Sequence, residues 1–127
     1  MLGCAYESLI NDLIAVCEKK NNKDKADGNP YLATFDAQIR DNHYAKQRME
    51  NIRDYLNRDR AFYKSKGFDK IDERFAMFDL IRQYRNNADH PSAFEFTKEY
   101  CEVLFAGTAL HLDKVVNLIN ELKKCYS

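Results

Sequence analysis

Two residues with complementary chemistry, Arg85 and His90, stand five positions apart, and Pro91 follows directly. On an unbroken helix, five steps of about 100° would place the two side chains roughly 140° apart. A proline, however, disfavours helical geometry for the residue before it. We therefore expect His90 on a corner just past a helix, free to fold back towards Arg85.

This pairing suits the cleavage of a phosphodiester. Arginine stays protonated, and its planar fork matches the oxygens of a phosphate. Histidine changes charge near neutral pH and can accept or donate a proton there. The competing interpretation is structural: Arg85 would be a helix C-terminal cation that bonds Asp89, and His90 would cap free carbonyls at the corner.

The other histidines and the cysteines lack the spacing of a metal site. His43 and His111 have no carboxylate, cysteine or histidine arranged as co-ligands, so we interpret both as structural. The cysteines form no C-x-x-C pair and fall among apolar residues, which predicts buried or half-buried thiols in a reducing cytoplasm. They are Cys4, Cys17, Cys101 and Cys125. We expect neither a metal nor a cofactor.

Helices must position these residues, because no segment shows the sustained alternation of a strand. The apolar patterns predict helices over about 2–20, about 34–64, about 69–88 and from about 92–97 to about 124. Residues 21–30 are predicted to be a polar loop, and thin patterning between Asp41 and Arg48 leaves the second stretch as two helices or one kinked helix. The sequence thus predicts an all-α antiparallel bundle of four to five helices, one domain spanning residues 1–127.

The composition is that of an ordinary globular domain, with 127 residues and a net charge of zero. Charges interrupt every apolar stretch, and the first segment lacks a basic lead-in, so we expect a cytoplasmic protein without a membrane span. Because the first helix begins directly after Met1 without a capping residue, this domain could have been cut from a longer protein. Residues 40–70 carry nine cations and five acids. Such a run is compatible with phosphate steering, although a solvated helix face explains it more often.

The segment Tyr84-Arg85-Asn86-Asn87-Ala88-Asp89-His90-Pro91 resembles the R-N-x-A-x-H-P variant of the HEPN superfamily signature. Members of that superfamily are small four- or five-helix domains marked by Arg-x(4–6)-His. The opening residues, 2–7, are also similar to the first helix of some members, which place a glutamate where this chain has Glu7. With the helical order the resemblance covers most of the chain, but only the Arg85–His90 segment is specific.

The resemblance implies a metal-independent endoribonuclease whose arginine and histidine line a cleft shared by two subunits. Carried over to this chain, Arg85 would bind the scissile phosphate and His90 would transfer protons. Asn86 would help to orient them. Glu7 would support the site from the first helix, and Tyr84 would lie beside the substrate.

The implied partners are single-stranded RNA, a second copy of the chain, and an antitoxin or regulatory protein. Many members act in phage defence, in toxin–antitoxin pairs or in RNA processing. Asp89 replaces the commoner glycine of this variant, and its carboxylate could repel phosphate or pair with Arg85. Other members are inactive, so the alternative is a non-catalytic module for dimerisation and for protein or nucleotide binding.

Overall fold

A computed structural model describes the backbone of residues 2–88 and 98–126 and the side chains of residues 7–83 and 106–126. Every regular element in these ranges is helical, which confirms the all-α prediction. The helices are α1 (Leu2–Ala26), α2 (Ala45–Asn57), α3 (Arg60–Ser65), α4 (Ile71–Ala88) and α5 (Lys98–Tyr126). A π-helical turn (Asp36–Arg40) precedes α2. Within the described ranges, no helix combines the length and apolar character needed to cross a bilayer.

The core is one cluster of apolar side chains to which all five helices contribute. The periodic positions predicted to be buried in α4 are buried: Ile71, Phe75, Phe78 and Ile81. The same holds in the second half of α5 for Val115, Leu118, Ile119 and Leu122. Leu110, another apolar position of α5, is exposed over 58% of its surface.

The first helix continues beyond its predicted end at residue 20 and includes the start of the predicted loop. Lys20 donates to Asp24 one turn later at 2.8 Å, and Lys23 and Lys25 fall in the last turn, where cations favour the helix dipole. Asn21 is not a helix breaker here, since its side chain bonds both the N–H and the C=O of Leu32. The loop prediction was therefore wrong for residues 21–26.

The connection between α1 and α2 runs back along α1. Leu32 lies beside Asn21, and farther along the connection Arg40 donates to Glu18 at 2.7 Å. Arg48, near the start of α2, then donates to Asn11 at 2.6 Å. This return carries the chain to the level of the first half of α1 before α2 begins.

As a result α1 and α2 run in the same direction. So do α1 and α5, because their C-terminal ends lie together, where Lys23 Nζ is 6.0 Å from the centre of the Tyr126 ring. The prediction of a fully antiparallel bundle is therefore wrong for these two pairs. Helix α4 runs opposite to its neighbours, as predicted. Its start meets the end of α2, where Asn57 donates to Asp72 at 2.8 Å. The stretch predicted as two helices or one kinked helix contains three helical elements. The π-helical turn ends at Arg40, and Arg58 and Asp59 separate α2 from α3.

Candidate functional site

The final turn of α4 contains Tyr84, Arg85 and Asn86. Their backbone is helical, while their side chains lie outside the described residues. Asp89, His90 and the proline that follows also lie outside the described residues, so the predicted approach of His90 to Arg85 stays a prediction. The helical backbone fixes the position of Arg85 along and around α4.

Arg85 continues the buried stripe of α4. At 100° per residue, Phe78 and Ile81 stand about 20° and 40° to either side of the Arg85 position on the helical wheel. Both side chains are buried, with 1% and 0% of their surface exposed. The backbone of Arg85 thus holds a position in the same register as the core-facing residues of α4, at the last turn of the helix.

The same stripe already contains one arginine. Arg74 is 5% exposed, and Asp69 compensates its charge through hydrogen bonds from Arg74 Nη2 to Asp69 Oδ1 at 2.6 Å and from Nε to the Asp69 carbonyl at 2.7 Å. The Arg74 guanidinium holds the pKa of Asp69 below its usual range. This fold therefore accommodates an arginine in the buried register of α4 when oxygen acceptors meet it.

A shallow depression of about 150 Å³ lies next to the last turns of α4. Helices α1, α2 and α4 line it, with charged and polar groups from each: Glu7, Asn11, Arg48 and Arg82. Arg82 stands one turn before Arg85. Glu7, which the resemblance placed near the site, is thus brought to the end of the bundle where Arg85 lies.

Arg48 supplies a cation to this depression. Its Nε donates to the Ile39 carbonyl at 3.0 Å, and its Nη1 donates to Asn11 Oδ1 at 2.6 Å. Both acceptors are neutral, so these contacts fix the guanidinium in place without cancelling its charge. A rigid guanidinium suits the oxygens of a phosphate.

Arg82 is held differently. Its Nε and Nη2 donate to Asp79 Oδ1 at 3.1 and 3.0 Å on the same helix. The other oxygen of Asp79 accepts a hydrogen bond from Gln83 at 2.8 Å. Asp79 thus neutralises Arg82, so of these two arginines Arg48 is the stronger attraction for an anion, although the carboxylate of Glu7 lines the same depression.

The sequence prediction did not single out Arg48 or Arg82. Arg82 had a detectable signal, because it precedes Arg85 by three residues and helical neighbours at that spacing share a face. Arg48 had none, since its approach to α4 depends on the parallel packing of α1 and α2.

None of the remaining histidines and cysteines that the structure describes lines the depression. His43 is exposed, and no cluster of three potential metal ligands occurs among the described residues. Cys17 is fully buried, and burial raises the pKa of its thiol to about 12. The prediction of a buried or half-buried thiol is wrong for Cys125, which is exposed near the end of α5. The side chains of Cys4 and Cys101 lie outside the described residues.

Comparison with known proteins adds no relative, since no protein-family model, curated protein or solved structure matches the chain. The class that the described residues define is an all-helical bundle.

Proposed function

We propose that this chain is a metal-independent endoribonuclease of HEPN type, with Arg85, Asn86 and His90 at its catalytic site. The observation that carries the proposal is the register of Arg85, which follows Phe78 and Ile81 to the end of α4 beside a depression containing Arg48. An arginine in that register can reach a phosphate between helices, and His90 stands only five residues farther along.

The proposed reaction is attack by a ribose 2′-hydroxyl on the neighbouring phosphorus. Neutral His90 takes the proton of the 2′-hydroxyl as the new oxygen–phosphorus bond forms. Arg85 stabilises the added negative charge on the five-coordinate phosphorus. The bond from phosphorus to the 5′-oxygen then breaks, and protonated His90 of the partner subunit supplies the proton that this oxygen needs.

This scheme assigns supporting roles to the neighbouring residues. Asn86 orients the reacting groups, and Tyr84 contacts the substrate. Glu7 holds cations near the last turn of α4. Asp89 pairs with Arg85 in the absence of RNA and releases it when phosphate binds.

Arg48 extends the proposed site along the RNA. Its guanidinium is charged and positioned, so it can bind a phosphate next to the one that is cleaved. Removing it should weaken RNA binding at all sequences and reduce the salt dependence of binding by about one phosphate contact. Cleavage of RNA that is already bound should change little.

The proposed partners follow from the mechanism and the resemblance. The chain acts as a homodimer in the cytoplasm, its substrate is single-stranded RNA, and an antitoxin or regulatory protein restrains it. The biological setting is phage defence, a toxin–antitoxin pair or RNA processing.

The proposal is tested by cleavage of single-stranded RNA in the presence of EDTA. Arg85→Ala and His90→Ala should each lower the rate by about 10²-fold or more, the scale of general acid–base and electrostatic assistance. The matched control is Arg53→Ala, which removes an arginine that does not line the depression and should leave the rate unchanged. If the wild-type dimer and its Arg85→Ala variant bind RNA equally and neither cleaves it, the chain belongs instead to the non-catalytic modules.

A further inference from the structure

A larger cavity lies at the opposite end of the bundle from Arg85. Its volume is about 440 Å³, within the range of about 300–1,000 Å³ that is typical of small-molecule sites. It is bounded by the last turns of α1, the loop after α1, the junction of α2 with α3, and the end of α5. No residue of the proposed nuclease site lines it.

Five aromatic rings contribute to the walls of this cavity. Tyr55 and Tyr63 are buried in its floor, and Tyr31, Phe62 and Tyr126 lie around it. Tyr31 lies between Pro30 and Leu32 in the loop after α1, and 40% of its surface is exposed. Rings arranged in this way offer flat surfaces against which a planar molecule can stack.

A lysine ammonium group lies near each of the three rings around the cavity, those of Tyr31, Phe62 and Tyr126. Lys25 Nζ lies 5.7 Å from the centre of the Tyr31 ring, and Lys23 Nζ lies 6.0 Å from that of Tyr126. Lys66 Nζ lies 5.7 Å from the centre of Phe62. None of these three lysines lines the cavity, whereas Lys20 lines it and also lies over the Phe62 ring.

Two cations line the cavity, and their charges are compensated to different degrees. Lys20, which is 7% exposed, donates to Asp24 at 2.8 Å and lies 4.9 Å from the centre of Phe62, so its charge is already compensated. Arg58 also lines the cavity, is exposed, and makes no side-chain hydrogen bond or ion pair with the described residues. The Lys20–Asp24 ion pair lies at one side of the cavity and the unpaired guanidinium of Arg58 at another. This arrangement leaves a place for one anionic group beside Arg58.

We propose that this cavity binds a small flat aromatic molecule that carries one acidic group. The ring stacks among Tyr31, Phe62 and Tyr126, and the acidic group bonds Arg58. Asp24 and Asp59 also line the cavity, so two carboxylates stand beside its two cations, Lys20 and Arg58. The acid can be a carboxylate or a phosphate monoester, since a guanidinium binds both. This site is independent of the proposed nuclease activity.

The experiment is a titration of the whole chain with four probes, followed by calorimetry and by NMR of the ¹⁵N-labelled protein. Indole-3-carboxylate and adenosine 5′-monophosphate carry both a ring and an acid. Indole lacks the acid, and inorganic phosphate lacks the ring. At least one of the first two should bind saturably at least about tenfold more tightly than its incomplete counterpart, and the largest shifts should fall on residues 20–32, 58–63 and 126. The stronger of the two probes identifies the acid as carboxylate or phosphate.

Variants test which groups recognise the probe. Arg58→Gln should weaken binding about tenfold, because it removes a charge-assisted hydrogen bond, whereas the control Arg53→Gln should leave it unchanged. Phe62→Leu should weaken binding about threefold to tenfold, and Tyr44→Leu, which alters an exposed tyrosine outside the cavity, should have no effect. The proposal is overturned if neither complete probe binds saturably, if indole binds as well as its carboxylate, or if the NMR shifts of the wild type lie elsewhere.

Discussion

Arg74 Nη1 lies 3.2 Å from His111 Nδ1, and this contact joins the buried stripe of α4 to α5. The guanidinium can only donate, so His111 Nδ1 accepts and the imidazole is neutral. Partial burial, the charge of Arg74 and the nearby Lys70 lower the pKa of His111, and Glu73 opposes them. The contact therefore couples the packing of two helices to pH.

We expect acid to weaken the fold through His111. Its pKa in the folded protein lies below the ordinary value of 6.5, so the unfolded chain binds a proton more readily. The free energy of unfolding should therefore fall as the pH drops below about 6.5, and stay level above it as far as this residue is concerned. The measurement is urea unfolding at several pH values between 5 and 8.

The matched variant for this prediction is His111→Asn, which retains an acceptor near Arg74 but does not titrate. Its stability should depend less on pH than that of the wild type over this interval. Equal slopes for the two proteins would show that His111 does not contribute to the pH dependence.

Arg74 itself should be worth much more to stability than an exposed arginine. Arg74→Met removes the hydrogen bonds to Asp69 and His111 and should lower the free energy of unfolding by about 2–3 kcal/mol. Arg60 forms a comparable pair with Asp72 at 3.2 Å, but both side chains are more than half exposed. Arg60→Met should therefore cost less than about 1 kcal/mol, and chemical denaturation of both variants checks the contrast. A similar loss in the two variants would contradict it.

Asn21 should hold the return connection onto α1. Its side chain donates to the Leu32 carbonyl at 2.9 Å and accepts from the Leu32 N–H at 2.8 Å, and only 5% of the residue is exposed. Asn21→Ala should destabilise the protein by about 2 kcal/mol, because it leaves two backbone groups unpaired. Asn22→Ala is the control: it removes an exposed asparagine of the same helix and should cost less. Hydrogen exchange at Leu32 should become faster only in the Asn21 variant; unchanged exchange there would contradict the assignment.

Two glycines should respond oppositely to alanine. Gly67 has φ of +86°, so Gly67→Ala should cost about 1 kcal/mol through backbone strain even though the space around it is empty. Gly107 lies within α5, where a Cβ would meet only the flexible end of Met77 at 3.1 Å. There the gain in helix propensity should offset the contact, and Gly107→Ala should be neutral or stabilising. Thermal unfolding of the two variants tests this contrast. A Gly67→Ala variant more stable than the wild type would contradict the expected backbone strain.

The fold was predictable wherever local periodicity governs it. The spacing of Phe75, Phe78 and Ile81 was enough to predict both α4 and its buried face. The extension of α1 was not, because Asn21 is a helix residue only by virtue of its bonds to Leu32, eleven positions away. The parallel pairing of α1 and α2 likewise depends on contacts between distant residues, such as Arg48 with Asn11.

The candidate site was predictable in its chemistry but not in its surroundings. The sequence pointed to Arg85 and His90 by residue type and spacing. It gave no means of finding Arg48, since only the folded arrangement of α1, α2 and α4 brings that guanidinium near the last turn of α4. The aromatic cavity also escaped prediction, because its rings come from segments separated by nearly the whole chain.

The most direct test of the central proposal is the chemistry of the cleaved bond. An RNA oligonucleotide that the protein cuts is compared, in EDTA, with the same oligonucleotide carrying a single 2′-deoxy nucleotide on the 5′ side of the cut. We predict that the RNA yields a fragment ending in a 2′,3′-cyclic phosphate and that the 2′-deoxy substrate stays intact at that position. Cleavage of the 2′-deoxy substrate at an equal rate, or no cleavage of any RNA by the purified protein, would contradict the proposed function.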